Sequence, residues 1–118
     1  MNTEIHSYIE KYSIEIQELF TELSKLISES VSCEIEEKLW AKLPSYYVGN
    51  RFIRFIPFKD HINIESSSIM KYKNDLKGFK ITPKGMLQIY MNENIPSDIL
   101  RIIFKETLLG RLSSKTML

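Results

Sequence analysis

The chain is poor in several residue types that mark common classes of protein. Cys33 is the single cysteine, which excludes an intrachain disulfide and a cysteine-based zinc cluster. Its acidic surroundings, VSCEIEE, disfavour a thiolate, so we expect a packed, unreactive thiol. No apolar run reaches the roughly 18 residues of a membrane span, and MNTEIHSYIEK lacks the basic start and apolar centre of a secretory signal. We therefore expect a cytoplasmic protein without a membrane segment.

What the chain does contain is enough apolar sequence for one core. Its 118 residues, 43% hydrophobic and 26% charged, fit one globular domain over 1–118. The net charge of +1 conceals nine acids and two bases in residues 1–37, against six acids and fourteen bases in 38–118. One interpretation is an acidic helical layer against a basic layer, with solvated rims. The functional interpretation gives each pole its own ligand.

The acidic first third has the apolar periodicity of two helices. A short helix is indicated by apolar residues at helical spacing: Ile5, Tyr8, Ile9 and Tyr12. Ser13 is a suitable N-cap for a longer helix over Ser13–Glu29. The apolar positions of this second helix fall on one face: Ile16, Leu19, Phe20, Leu23, Leu26 and Ile27. We expect that face to pack on the core.

Glutamates share another face of the longer helix. Glu15, Glu18, Glu22 and Glu29 project to one side, together with Lys11 and Lys25. Ordinary surface ion pairs, worth about 0.3–0.5 kcal/mol each, are the first interpretation of this face. The alternative is a metal site, because carboxylate oxygens grouped on one face suit hard cations.

The middle of the chain predicts antiparallel strands. CEIEEKLW is a strand candidate, although its apolar spacing also fits a helix. Pro44 then interrupts, and Tyr46 to Val48 form a short strand that Gly49-Asn50 joins to RFIRFIPF by a two-residue hairpin. RFIRFIPF is apolar on both faces apart from its arginines. We expect it to be a central strand, covered by helices on one side and aromatic side chains on the other, that ends at Pro57.

The next strand has two chemically different faces. In HINIE, Ile62 and Ile64 point one way, and the three polar side chains point the other: His61, Asn63 and Glu65. Serines at 66–68 then offer caps for a helix that reaches Leu76, with Gly78 as its left-handed terminator.

The last third completes an α+β pattern. FKIT and MLQIYM, on either side of Pro83-Lys84-Gly85, predict a second hairpin. Pro96 stands at the first turn of a final helix over Pro96–Leu112. The element order predicts an antiparallel sheet of about four to six strands covered by the Ser13–Glu29 and Pro96–Leu112 helices.

Four segments carry a resemblance to a known family: KLWAKLPSY, FIPFKDHINI, YKNDLKGFKITPKGMLQIYM and IPSDIL. In this order, with the elements W-x-x-x-P-x-Y and F-K-x-H, they resemble the YdhG-like proteins (domain of unknown function 1801) from roughly Ile5 to Leu112. The resemblance picks out eight positions: Trp40, Pro44, Tyr46, Phe58, Lys59, His61, Gly85 and Pro96.

The resemblance also implies a fold and a function. Family members are small bacterial α+β domains likened in fold to frataxin, and at least one branch is described as an intracellular iron chaperone. The acidic helical ridge of frataxin corresponds loosely to Glu15, Glu18 and Glu22. Iron, and iron-accepting proteins as partners, are therefore what the resemblance implies.

The residues themselves suggest two further functions. A pocket for a small anion is one, with aromatic walls and two donors supplied by Trp40, Pro44, Tyr46, Lys59 and His61. We expect His61 to be partly buried near Trp40 or Tyr46, with Lys59 at the rim. The other is binding of nucleic acid through the basic segment 71–84, which a pI of about 7.8 and the lack of a known reading motif disfavour.

An enzyme is also disfavoured, because His61 has no recognisable catalytic partner in the sequence. The ranking is then a frataxin-like metal-binding or partner-binding protein first and a small-anion binder second.

Overall fold

The computed structural model describes residues 2–110. Three α-helices, one 3₁₀ helix and six strands follow one another in this order: α1 (Thr3–Ile9), α2 (Ile14–Ser30), β1 (Glu36–Trp40), β2 (Leu43–Val48), β3 (Arg51–Pro57), β4 (His61–Ser66), the 3₁₀ helix (Met70–Leu76), β5 (Lys80–Ile81), β6 (Leu87–Tyr90) and α3 (Ser97–Leu109). The strands form one sheet in the order β1-β2-β3-β4-β6-β5, and each neighbouring pair is antiparallel. The predicted α+β class is confirmed.

The ends of the helices follow from local chemistry. Asn2 caps α1, and the Ser13 hydroxyl accepts a hydrogen bond from the Ile16 amide at 3.2 Å, as predicted for the start of α2. Helix α3 ends at Gly110, whose φ of 85° is the left-handed conformation that glycine adopts without strain. The predicted end at Leu112 lies outside the described residues. No helix within residues 2–110 combines the length and apolar character needed to cross a membrane.

One face of the sheet, called the core face below, packs against the helices. Its fully buried side chains come from β3, β4 and β6: Ile53, Phe55, Ile62, Ile64, Leu87 and Ile89. Phe20 of α2 meets Phe55 edge-on with ring centroids 5.6 Å apart, and Phe104 of α3 lies 6.4 Å from the same ring. Burying each such side chain contributes about 1.5–3 kcal/mol, so this layer dominates stability.

The alternate residues form the opposite face, called the outer face below. Strand β3 is central, as predicted, and its outer side is covered by aromatic side chains around Arg54. The Gly49-Asn50 hairpin is also confirmed, with Val48 opposite Arg51. Of the two turn residues, Gly49 has positive φ, at 64°, and Asn50 does not, so the first turn position alone requires glycine.

The predicted first strand starts too early. Helix α2 continues to Ser30, residues 32–35 are irregular, and β1 begins at Glu36. Cys33 lies in the connection and is exposed, so the prediction of a packed thiol is wrong. The reason is that Ile35 and Leu39, rather than Cys33, supply the apolar contacts of this segment with the core.

The sequence did not predict the turn between β1 and β2. Ala41 and Lys42 make a two-residue hairpin with φ values of 50° and 67°, and Trp40 lies opposite Leu43. Pro44 does not interrupt a strand but lies inside β2 opposite Leu39, beyond the last residue pair that joins β2 to β3. A proline is tolerated where a strand has one paired neighbour.

The helix predicted after Ser66–Ser68 is a 3₁₀ helix without a side-chain cap. Ser66 instead ends β4 opposite Ile53, and its hydroxyl hydrogen-bonds the Thr107 hydroxyl of α3. The Ser66 hydroxyl, which the sequence predicted to cap the following helix, therefore binds α3 instead.

Candidate functional site

Tyr46 and Pro44 belong to the core face and are buried. The Tyr46 hydroxyl hydrogen-bonds the Ser24 hydroxyl of α2 at 2.8 Å. Burial raises the pKa of Tyr46 well above its ordinary value of 10.0, because the phenolate would lose its hydration. Tyr46 therefore links β2 to α2, and both side chains are buried rather than open to a ligand.

Trp40 lies on the outer face and is 51% exposed. Its ring contacts the guanidinium of Arg54, whose side chain is only 6% exposed. That guanidinium donates to the hydroxyls of Ser45 at 2.8 Å and Tyr47 at 3.0 Å, and to a carboxylate oxygen of Glu65 at 3.2 Å. With its donors directed at these neighbours, Arg54 organises the outer face and is not available to a ligand.

His61 lies on the outer face of β4 in an aromatic sandwich. The rings of Phe58 and Tyr90 stack on its two sides, each with its centroid 4.6 Å away. Nδ1 lies 2.8 Å from a carboxylate oxygen of Asp60, and the side chain is 13% exposed. That hydrogen bond holds the pKa of the Asp60 carboxyl below its usual 3.8.

The predicted ligand cluster is therefore not assembled as one pocket. Trp40 in β1 and His61 in β4 are three strand spacings apart, about 14 Å. Tyr46 points to the other face of the sheet, and Lys59 is exposed with no hydrogen bond or ion pair to another residue in 2–110. His61 is partly buried, as expected, but its neighbours are Phe58, one of the positions of the resemblance, and Tyr90, which nothing in the sequence linked to it.

The remaining positions of the resemblance have structural places. Gly85 has φ of 89° in the β5–β6 turn and approaches the Met70 side chain, and Pro96 is the residue before α3. The outer face also contains a buried acceptor, the Asn63 side-chain oxygen, for which no hydrogen-bond partner exists in the described part of the chain. Nothing in the sequence separates Asn63 from an ordinary strand asparagine.

The predicted acidic face lines a cavity of about 420 Å³ between α2 and the β6–α3 connection. Glu15, Glu18 and Glu22 form one wall, and Glu93 lies on the other with Asn94 and Ser97. We call this the acidic cavity. Glu93 was missed because it lies far along the chain in a connection whose path the sequence does not fix.

The acidic cavity contains four carboxylates and no lysine or arginine in its lining. Lys11 and Lys25, expected to neutralise this face, form no ion pair with another residue in 2–110. Lys25 and Arg101 line a neighbouring cavity of about 170 Å³, where Arg101 is held by Glu29 at 3.1 Å and Asp98 at 3.0 Å. Within residues 2–110, no ion pair therefore neutralises the four carboxylates of the acidic cavity, although Lys25 shares the neighbouring cavity with Glu22.

A metal site requires several ligands close to one ion, not only several like charges in one cavity. Across residues 2–110, no three His, Cys, Asp or Glu side chains are grouped closely enough to hold a metal ion. The carboxylates of the acidic cavity are thus spread around its walls, and one oxygen of Glu93 already accepts from the Tyr90 amide at 2.8 Å.

The basic segment 71–84 is partly engaged within the protein. Lys71 pairs with the buried Glu106 of α3 at 2.9 Å, and Lys80 lies over the Tyr90 ring.

Comparison with known proteins adds no relative, since no family model, no curated protein and no solved structure matches the chain.

Proposed function

We propose that the protein is a small cytoplasmic YdhG-like binding protein, not an enzyme, whose cargo is ferrous iron held in the acidic cavity and passed to an iron-accepting partner. The observation that carries the proposal is the lining of that cavity. Its four carboxylates, with no cationic side chain among them, create a local field that attracts a small cation.

Oxygen ligands favour hard cations over soft ones, so a ferrous ion or another small divalent cation is the expected occupant class. Three of the carboxylates project from the exposed face of α2 and the fourth from a connection, and within residues 2–110 no three of them are grouped closely enough to enclose one ion. Binding is therefore weak and reversible, as suits a cargo that is handed on rather than a resident cofactor.

The environment of His61 disfavours a catalytic role for this residue. Its two ring faces are covered, Nδ1 is held by Asp60, and the other nitrogen lies 3.5 Å from the Gln88 amide. A general acid or base needs a proton path to a substrate, and this ring is enclosed by its own neighbours.

The test is calorimetric titration with ferrous iron under anaerobic conditions. Replacing Glu15, Glu18 and Glu22 together by alanine should abolish the binding heat, and Glu93→Gln should weaken it. The matched control removes three exposed acids elsewhere, Glu4, Glu34 and Asp75, and should leave binding unchanged. Equal iron binding by the wild type and the Glu15/Glu18/Glu22 variant would refute the proposal, as would equal losses in the variant and the control.

A further inference from the structure

A second and larger cavity lies at the opposite charge pole of the chain. About 690 Å³ in volume and open to solvent, it is lined by the β2–β3 turn, the end of β4 with the start of the 3₁₀ helix, the β5–β6 turn and Thr107 of α3. We call it the Arg51 cavity. Its volume falls within the roughly 300–1,000 Å³ typical of small-molecule sites.

Two cationic side chains from different turns meet in this lining, Arg51 and Lys84. Neither forms an ion pair or hydrogen bond with another side chain among residues 2–110. The one acid of the lining, Glu65, is bonded to the Arg54 guanidinium at 3.2 Å. No ion pair within the described chain therefore neutralises the positive charge of the Arg51 cavity.

Arg51 has a defined place in the structure. Its guanidinium lies so close to Gly110 that a Cβ at that position would be 2.7 Å from Cζ. Any residue with a side chain there would displace the guanidinium. The glycine that ends α3 thus also makes room for the charged group beside the cavity.

The rest of the lining combines hydroxyl and apolar groups. Ser67 is exposed, and no other residue in the described chain hydrogen-bonds its hydroxyl, whereas Ser66 and Thr107 satisfy each other. Phe52, Met70 and Met86 contribute apolar wall. A ligand that fits these surfaces has a charged oxyanion at one end and an apolar body at the other.

We propose that the Arg51 cavity binds a small organic oxyanion, with a phosphate or carboxylate group held by Arg51 and Lys84 and an apolar body against Phe52, Met70 and Met86. The planar guanidinium donates two parallel hydrogen bonds to such a group, and the lysine adds a point charge. Ser67 supplies a further donor. This site is separate from the acidic cavity and does not depend on iron.

Phenyl phosphate, benzoate and inorganic phosphate are the probes, titrated calorimetrically into protein freed of metal with a chelator. Phenyl phosphate and benzoate separate the two oxyanion types, and inorganic phosphate reports the charged end alone. We expect saturable binding of at least one organic probe, tighter than that of inorganic phosphate. Failure of both organic probes to bind would overturn the site, whatever the outcome of the iron titration.

The decisive variant is Arg51→Met with Lys84→Met, which removes both charges at similar side-chain length. It should lower the affinity for the organic probe by at least about tenfold, which is the effect of losing a charge-assisted hydrogen bond. The control, Lys73→Met with Lys77→Met, removes the same charge from exposed positions outside the cavity. An equal loss of affinity in the variant and the control would show that the probe is attracted only by overall charge, and would refute the site.

Both altered side chains are exposed, so the fold is expected to tolerate the change. Arg51→Lys provides a second measurement, because it keeps the charge but not the planar fork. It should give an affinity between the wild type and the double variant. An affinity equal to that of the wild type would contradict the bidentate role of Arg51.

Discussion

The guanidinium of Arg54 lies between the rings of Trp40 and Phe52, with Cζ 4.1 Å from both centroids. A cation over an aromatic face is stabilised by the ring quadrupole, more strongly when it is shielded from water. Because three further partners accept its hydrogen bonds, this buried charge is satisfied by its neighbours. The arrangement ties β1, β2, β3 and β4 together on the face that the helix layer does not stabilise.

Replacing Arg54 by methionine should therefore lower the free energy of unfolding by about 2–4 kcal/mol, through lost charge-assisted hydrogen bonds and lost stacking. Urea unfolding followed by the fluorescence of Trp40, the single tryptophan, measures this directly. The same substitution should also shift the emission of folded Trp40, because the guanidinium no longer covers its ring.

Lys38 offers a matched control on the same face. Its ammonium lies 4.6 Å from the Tyr47 centroid, but the side chain is 44% exposed. Lys38→Met should cost less than about 1 kcal/mol, since water screens an exposed cation–π pair. If the Arg54 and Lys38 variants were destabilised equally, burial would not be the source of the Arg54 contribution.

The Ala41-Lys42 turn is a place where the chain tolerates strain. Both residues have positive φ, which costs a residue with a side chain about 1–2 kcal/mol, and asparagine and glycine suit this hairpin better. Ala41→Asn with Lys42→Gly should raise the free energy of unfolding by about 1 kcal/mol or more. A stability equal to or below that of the wild type in urea unfolding would contradict this reasoning.

The opposite change at the other hairpin is the control. Gly49 has φ of 64°, and a Cβ there would meet no heavy atom within 4 Å. Gly49→Ala should therefore lower stability by about 1 kcal/mol through backbone strain alone. Measured together, the two turns separate backbone conformation from side-chain contact.

The fold was predictable where the signal is periodic or tied to one residue type. Alternation placed Ile62 and Ile64 on the core face, and Ser13 marked the start of α2. The Ala41-Lys42 turn was not predictable, because neither residue favours positive φ and only the pairing of β1 with β2 imposes it. Cys33 was misplaced because an apolar alternation was extended beyond the paired strand.

The candidate sites were predictable only where their residues lie on one element. Glu15, Glu18 and Glu22 line one cavity because they share a helix face. Glu93 faces them, and Lys84 joins Arg51, only through tertiary folding. Trp40, Tyr46 and His61 are close in the sequence but lie on different strands, and Tyr46 points to the opposite face of the sheet. Their separation depends on how four strands are ordered and paired.

We expect His61 to stabilise the fold rather than to bind a ligand. Its ring fills the space between Phe58 and Tyr90 and hydrogen-bonds Asp60, so His61→Ala should lower the free energy of unfolding by about 1–3 kcal/mol. Iron and phenyl phosphate titrations of the same variant should match those of the wild type. A loss of either ligand with unchanged stability would instead make His61 a binding residue.

Tyr46 should give the protein a specific sensitivity to alkali. Burial raises its pKa in the folded state above the unfolded value of 10.0, so the unfolded chain ionises first as the pH rises. The stability linked to the neutral phenol is complete below pH 10.0 and is lost as the pH rises from there towards the folded pKa.

Tyr46→Phe removes that ionisation together with the hydrogen bond to Ser24. At neutral pH the variant should be less stable by about 0.5–1.5 kcal/mol, the net value of such a bond. Above pH 10.0 the deficit should shrink, because only the wild type loses stability through Tyr46. Urea unfolding of both proteins at neutral pH and above pH 10.0 measures the difference. A deficit that stays constant across this range would show that the Tyr46 hydroxyl ionises as readily in the folded chain as in the unfolded one.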